Sequence, residues 1–309
     1  ADLMQIPVIT TMMGISVFPD DDQLFCGMIG THGVKMANAA VNECDVLFLV
    51  GARVGDRAVK TPLALEKTTK IIHIDIDPAE IGKNIGADLP LVGDAKLVLQ
   101  QMAELAKPMK HDEWIAHIKT LGGEREYVEP ANGTVNPRVF IDRLAKKMPA
   151  NVTVVADVGQ NQIWTCTEYK FRKEGRLLTS GGMGTMGYSV PAAIGAKMAD
   201  DSRATVAICG DGAFQMSFME LATAVQFGVD IKVVVMTNNR LGMVRELQTN
   251  GYHDRQTAVF LDGSPDFIKL AEAYGIPAMR VYDDDTIEKG IEMLAEHKGI
   301  CLVEVVVDK

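Results

Sequence analysis

No CxxC pair, no basic stripe and no apolar run of membrane-spanning length occurs in these 309 residues, and residues 1–107 hold no GxGxxG fingerprint; each absence removes a class of function. The five cysteines (Cys26, Cys44, Cys166, Cys209 and Cys301) are odd in number and far apart. They suit a reducing cytoplasm and offer neither a disulfide framework nor a thiolate metal site. Net charge is −10, which disfavours nucleic acid and anionic membrane surfaces as partners. The N-terminal ADLMQIPV lacks the basic and small-residue pattern of a signal peptide. There is no internal repeat and no low-complexity run. With 47% apolar and 23% charged residues the composition is globular, and the length exceeds one ordinary core, so two domains are expected.

What the chain does have is concentrated in residues 205–244. A β-branched apolar run (205–209) leads into Gly210-Asp211-Gly212; an amphipathic segment and a second apolar run (231–237) then lead into Asn238-Asn239. That order reads as strand, loop, helix, strand and loop, one right-handed βαβ unit of a parallel sheet. Ligands of open α/β sheets sit at the carboxyl ends of the strands, and both strands end here in oxygen-rich, glycine-containing loops. Asp211 offers a carboxylate and Asn238 an amide oxygen, hard ligands suited to Mg²⁺, which shares its sphere with phosphate oxygens and water. Gly212 leaves room for a diphosphate, and a helix expected to begin near Ser217 would aim its first amides at the anion. A GDG triplet alone is a common tight turn. Its pairing with Asn238, across 25 intervening residues and one strand-helix-strand, is what points to a metal and a diphosphate.

This pairing resembles the signature of the thiamine diphosphate (ThDP) enzymes. The resemblance implies that Asp211 and Asn238 bind Mg²⁺ through their side chains and Arg240 through its carbonyl, with Gly210, Gly212, Ala213, Gly242 and Met243 beside the cofactor. Upstream, SGGMGTMGYSVPAAIGAK (180–197) is similar to the acetohydroxyacid synthase (acetolactate synthase) branch of that superfamily. There Met186 would wedge between the two rings of a bent cofactor, and the carbonyl of Gly184 would accept from its aminopyrimidine. Read without the resemblance, this stretch is a glycine-rich turn with a core methionine. In the loop DVGQNQIW, Gln160 and Gln162 are polar contacts that the resemblance directs to the diphosphate end.

The first third reads as alternating strands (6–10, 46–50, 71–75) with a crossover helix at 34–41. Their loops, TTMMG, GARVGDR and DIDP, suit a nucleotide, and Asp75 or Asp77 suits a ribose hydroxyl. The runs VITTMMGISVFP, MIGTHG and GARVGDR look like the central domain of FAD-containing acetohydroxyacid synthases. By that resemblance Thr11, Met12, Gly30, His32, Gly51, Ala52, Arg53, Arg57 and Asp75 line a structural flavin; Gly55 stands where the family more often has an acid. His32 in a glycine-rich loop reads as a hydrogen-bonded structural residue, not a base.

Residues 94–106 have helical periodicity and close a first, Rossmann-like domain, 1–107. A linker follows at 108–135, containing a short helix at 112–121, and a diphosphate- and Mg²⁺-binding domain at 136–309. The fold expected is α/β, two doubly wound domains with parallel sheets, with residues 250–264 as a covering loop.

The activity implied by the resemblance is that of a transferase. Two 2-oxoacids (pyruvate with pyruvate or 2-oxobutyrate) condense with loss of carbon dioxide to acetolactate or acetohydroxybutyrate, the first common step of branched-chain amino-acid biosynthesis. Leu247 stands where the family often has tryptophan, which predicts weaker preference for 2-oxobutyrate. The resemblance further implies a cytoplasmic homodimer or homotetramer and a regulatory small subunit. The family's pyrimidine-binding domain, with its activating glutamate, has no counterpart in this sequence. The expectation is therefore a fragment of a longer enzyme, inactive in isolation. Two alternatives stay open: another ThDP-dependent decarboxylase or pyruvate oxidase, and a nucleotide-binding module without catalysis.

Overall fold

Strands and helices alternate along the chain, and every strand of its sheets pairs in parallel among the described residues, 1–122 and 127–308, of the computed structural model. They form two compact units, residues 1–14 with 22–122 and residues 15–21 with 127–308.

The first unit runs β1 (Val8–Thr10), β2 (Phe25–Met28), α1 (Lys35–Glu43), β3 (Val46–Val50), α2 (Pro62–Leu65), β4 (Lys70–Asp75), β5 (Leu89–Val92), α3 (Ala95–Leu105) and α4 (Asp112–Gly122). β1 pairs with β2, and β3-β4-β5 form a second sheet. Ile71 and Ile74 of β4 are fully buried, as the β-branched run demands. Helix α1 presents Ala37, Ala40 and Val41 inward; α4 packs against α1, where Ile118 meets Ala40 and Cys26. Asp94 starts α3 by accepting the Leu97 N–H.

The second unit continues with α5 (Pro137–Lys147), β6 (Thr153–Ala156), α6 (Gln160–Glu168), β7 (Arg176–Thr179), α7 (Ser189–Ala199), β8 (Thr205–Gly210), α8 (Asp211–Phe214), α9 (Leu221–Gln226) and β9 (Lys232–Thr237). It ends with α10 (Gly242–Gly251), α11 (Phe267–Ala273), β10 (Ala278–Val281), α12 (Asp284–Glu296) and β11 (Cys301–Val306). The six strands lie in the order β10-β11-β9-β8-β6-β7. Helices cover both faces of such a sheet, so its inner strands read as continuous apolar runs; every residue of β6 and β9 is buried. From β6 the chain steps outward to β7, then returns to place β8 on β6's other flank. The strand order therefore reverses between β6 and β8. Crevices at the carboxyl ends of strands that part in this way are where α/β sheets bind ligands.

Two local expectations need correction. Helix begins at Asp211 itself, not near Ser217, as the single turn α8; Phe218–Glu220 is a 3-10 turn leading into α9. The polar stretch after β6, expected as a loop, is helix α6 from Gln160 onward, and its buried residues are largely polar.

Candidate functional site

At the mouth of the reversal stand the ends of β6, β8 and β9. Asp211 follows directly on β8, only 2% exposed. Its Oδ1 accepts the Gly212 N–H (2.8 Å), and its Oδ2 accepts those of Asn238 (3.1 Å) and Asn239 (2.6 Å) after β9. Asn239 sits in the left-handed region at φ 55°, a conformation that asparagine tolerates. There, consecutive amides turn toward one anion. Burial raises the Asp211 pKa; the three amides oppose that shift and Glu304 adds to it. The carboxylate is thus positioned but under-neutralised.

Asn238, 8% exposed, accepts the Arg240 N–H at its Oδ1 (3.1 Å). The Arg240 guanidinium donates to the Asn239 carbonyl (2.7 Å), pairs with Asp262 (3.0 Å) and lies 4.6 Å from the Phe260 ring centroid. Asp211, Asn238 and Arg240 are therefore joined by direct contacts. Among the described residues no group of three or more His, Cys, Asp and Glu side chains could hold an ion. A metal here must draw on amide, carbonyl and ligand oxygens, and one carboxylate, one amide oxygen and one carbonyl leave an octahedral sphere half open, which fits Mg²⁺ with phosphate.

Close packing explains the glycines. A Cβ on Gly212 would lie 2.6 Å from Leu241 Cδ2 and 3.5 Å from Met186 Cε, so Met186 stands against the GDG turn. A Cβ on Gly242 would fall 1.9 Å from Gln160 Oε1. Gln160 thus packs on the first residue of α10, and its Nε2 donates to Glu246 (3.3 Å). Met186, Gln160, Gly212, Gly242 and the metal-type ligands are gathered at one edge. Gln162 is turned away: it is 5% exposed and donates to Thr179 Oγ1 in the sheet (2.7 Å). Ala213 is a core residue, while Leu247 is 52% exposed one helical turn beyond half-buried Met243. Gly184 is left-handed, at φ 67°.

Sequence reasoning places Asn161 at this carboxyl edge but gives it no role. Its Nδ2 donates to the carbonyls of Asp157 (2.9 Å) and Ile208 (3.1 Å), binding the ends of β6 and β8 together. Its Oδ1 stands where Cβ atoms on Gly159 or Gly210 would crowd it, at 2.7 and 3.3 Å. The available signal was that β6 ends in Asp-Val-Gly much as β8 ends in Asp-Gly.

In the first unit, Thr11, Met12, Gly30, His32, Gly51, Ala52, Arg53, Arg57 and Asp75 all fall at or just past carboxyl ends of β1, β2, β3 and β4. The Thr31 N–H donates to the Arg57 carbonyl (2.9 Å), tying the β2 and β3 loops. A Cβ on Gly30 would meet that carbonyl at 2.4 Å. Asp75 is already engaged with the Asp77 N–H (2.9 Å).

A parallel sheet with a cation-type ligand set at its reversal and glycine clearance beside it defines a cofactor-binding α/β enzyme domain. Residues 157–305 match the family described as "Thiamine pyrophosphate enzyme, C-terminal TPP binding domain", and residues 1–102 match "Thiamine pyrophosphate enzyme, central domain". The chain belongs to the thiamine pyrophosphate enzyme family. It is 41% identical to a probable acetolactate synthase large subunit of Methanocaldococcus jannaschii, over 100% of this chain and 54% of that protein. It is 37% identical to the acetolactate synthase large subunit of Lactococcus lactis, over 99% of this chain and 53% of that one. With acetolactate synthase isozyme 3 large subunit of Escherichia coli it shares 34% identity, over 99% of this chain and 55% of that protein. The chain spans about half the length of the curated relatives it matches.

Proposed function

We propose that this chain forms the diphosphate- and metal-holding part of a ThDP-dependent carboligase of the acetolactate synthase type, joining two 2-oxoacids with loss of carbon dioxide. The observation that carries this reading is the Asp211 carboxylate, buried at the strand reversal, aimed by three backbone amides and in contact with Asn238. The names of the relatives, acetolactate synthase large subunits, supply the substrate class.

In this reading Asp211, Asn238 and the Arg240 carbonyl hold Mg²⁺, and Mg²⁺ in turn fixes a diphosphate. Bound there, ThDP supplies a nucleophilic carbon and an electron sink for decarboxylation of a 2-oxoacid. Gln160 and the glycines at 210, 212 and 242 shape the diphosphate wall, Met186 and Gly184 face the cofactor's rings, and Leu247 lines the approach of the second 2-oxoacid. The carboxyl-end loops of the first unit take a flavin, with Arg53 and Arg57, both exposed, as its anion partners. Domain limits of 1–107 and 136–309 belong to the same proposal. So do pairing with a second copy, association with a smaller subunit, as the relatives' "large subunit" names suggest, and a cytoplasmic setting. The cytoplasmic setting agrees with five free cysteines and with the lack, among the described residues, of any helix long and apolar enough to cross a membrane.

The test is a calorimetric titration with ThDP, in Mg²⁺ and in EDTA, of the wild-type chain and of Asp211→Ala. Binding that needs both the metal and Asp211 is expected. Binding that is indifferent to both would remove the basis of this reading.

A further inference from the structure

Two buried aspartates close the reversal, and the proposed cofactor role uses one of them. The other, Asp157, follows directly on β6 and is fully buried (0% exposed). Its Oδ1 accepts the N–H groups of Val158 (2.8 Å) and Gly187 (3.0 Å), and its Oδ2 accepts that of Ser189 (2.8 Å). Asp157 and Asp211 share one plan. In each, Oδ1 takes the N–H of the following residue and the carboxylate also accepts two amides of a different segment. They differ in what they gather: Asp211 holds the loop after β9, whereas Asp157 holds the loop between β7 and α7.

That loop carries Gly184 and Met186. Gly187 and Ser189 are its last residue but one and the first of α7, a helix whose own N-cap, Tyr188, makes no side-chain cap. Asp157 therefore supplies, from another strand, the acceptor that α7 lacks, and a negative charge where the helix start favours one. The loop's other end is tied at Ser180, whose Oγ accepts the Thr185 N–H (3.1 Å) and whose carbonyl accepts that of Gly184 (2.7 Å). Met186, against Gly212, stands between Thr185 of one tie and Gly187 of the other.

We propose that Asp157 is a positioning residue that sets where Met186 and Gly184 stand over the Asp211 half-site, acting through the amides of Gly187 and Ser189 and touching no ligand itself. This inference rests on the cofactor reading above. Asparagine is nearly isosteric but turns an N–H₂ toward one of the two loops' amides, so it removes the tie with little change of volume.

The experiment combines amide exchange with ThDP titration in Mg²⁺ on the full chain, for wild type, Asp157→Asn and Ser180→Ala. Asp157→Asn is expected to speed exchange at Gly187 and Ser189 and to weaken ThDP binding by about tenfold or more, since amide bonds to a carboxylate are the stronger kind. Exchange within β6 and β9 should stay at the wild-type rate. Ser180→Ala, which removes only the Oγ tie to the Thr185 N–H and keeps the carbonyl tie to Gly184, should weaken binding less and leave exchange at Gly187 and Ser189 unchanged. If Asp157→Asn loses those protections yet binds ThDP as wild type does, the carboxylate is structural only and the inference fails. It fails equally if Ser180→Ala reproduces the exchange pattern of Asp157→Asn, because the loop then moves without regard to Asp157. If Asp157→Asn does not fold, unchanged ThDP binding by Ser180→Ala shows that the loop's ties do not matter and overturns the inference. Wild-type protein that binds no ThDP sinks the cofactor reading and this inference together; equal binding by wild type and Asp157→Asn sinks the inference alone.

Discussion

Gly33 shows how little room single positions leave in the first unit. A Cβ there would stand 2.4 Å from the Met28 carbonyl oxygen and 2.6 Å from the Gly30 nitrogen, both backbone atoms that cannot swing aside. Gly33→Ala should therefore destabilise the first unit by about 1–3 kcal/mol, the usual penalty for overpacking. A denaturant melt in which the variant matched wild type would contradict the geometry. Leu247 is the opposite case, exposed on α10 and free to grow. In a full-length enzyme Leu247→Trp is expected to raise the share of acetohydroxybutyrate when pyruvate and 2-oxobutyrate compete, read by product chromatography; an unchanged ratio would separate this position from substrate choice. At this scale residue type and spacing foretold a juxtaposition, that of Asp211 with Asn238. Gln162 shows the limit. Its polarity suggested a ligand contact, but the amide is satisfied by Thr179 inside the sheet, and polarity alone does not say which partner a buried amide finds.

Among the elements, α6 was the hardest to foresee. Its buried residues are Asn161, Gln162, Thr165, Thr167 and Glu168 with only Ile163 and Cys166 apolar, too few for an apolar period to announce a helix. Burial is tolerated because these groups bond inward: Thr165 donates to the Asn161 carbonyl (2.8 Å) and Thr167 to that of Ile163 (2.9 Å). Gly159, at φ 147°, lets β6 turn into α6 across only three residues, 157–159. By contrast β3 and β9 were readable as apolar runs to within a residue at either end. The connecting segment 15–21 has a titratable clasp. The Asp20 N–H donates to the Phe171 carbonyl (2.8 Å), the Phe171 N–H returns to Asp20 Oδ2 (3.0 Å), and Ser16 Oγ accepts the Leu177 N–H (3.0 Å). Burial pushes the Asp20 carboxyl up from 3.8 to about 6. The folded state thus holds its proton more tightly than the unfolded one. Its contribution is most favourable below about pH 4 and is lost as pH rises through 6. Asp20→Asn should raise the thermal midpoint relative to wild type at pH 7.5, with the difference vanishing near pH 4. A midpoint lowered at pH 7.5 would reverse the sign assigned to this group.

Across the whole molecule, two units with separate cores imply two addresses for ligands. ThDP with Mg²⁺ at a hundredfold excess over its dissociation constant should stabilise its unit by about 2.7 kcal/mol. Scanning calorimetry is expected to show that gain on the transition of the second unit alone, with a flavin acting on the first alone. A common shift of both transitions by either ligand would mean that they unfold as one. The doubly wound, parallel character of the chain was legible from the alternation of apolar runs and helical segments. The strand order was not, because β7 and β5 are short and half exposed, and nothing local distinguishes an outward step from a return.

Strand β9 has two differently built ends. Past its carboxyl end lies Asn238; at its amino end Lys232, 6% exposed, sends its ammonium to the carbonyls of His297 (2.7 Å) and Gly299 (2.6 Å) and to the Asp230 carboxylate. One end is braced by a saturated cation, the other leads into the proposed metal site. A saturation scan along this strand should accordingly sort its damaging alleles by phenotype. Those at Lys232 would lower protein abundance and be rescued by growth at lower temperature, whereas those at Asn238 would leave abundance intact and respond to thiamine or magnesium supply.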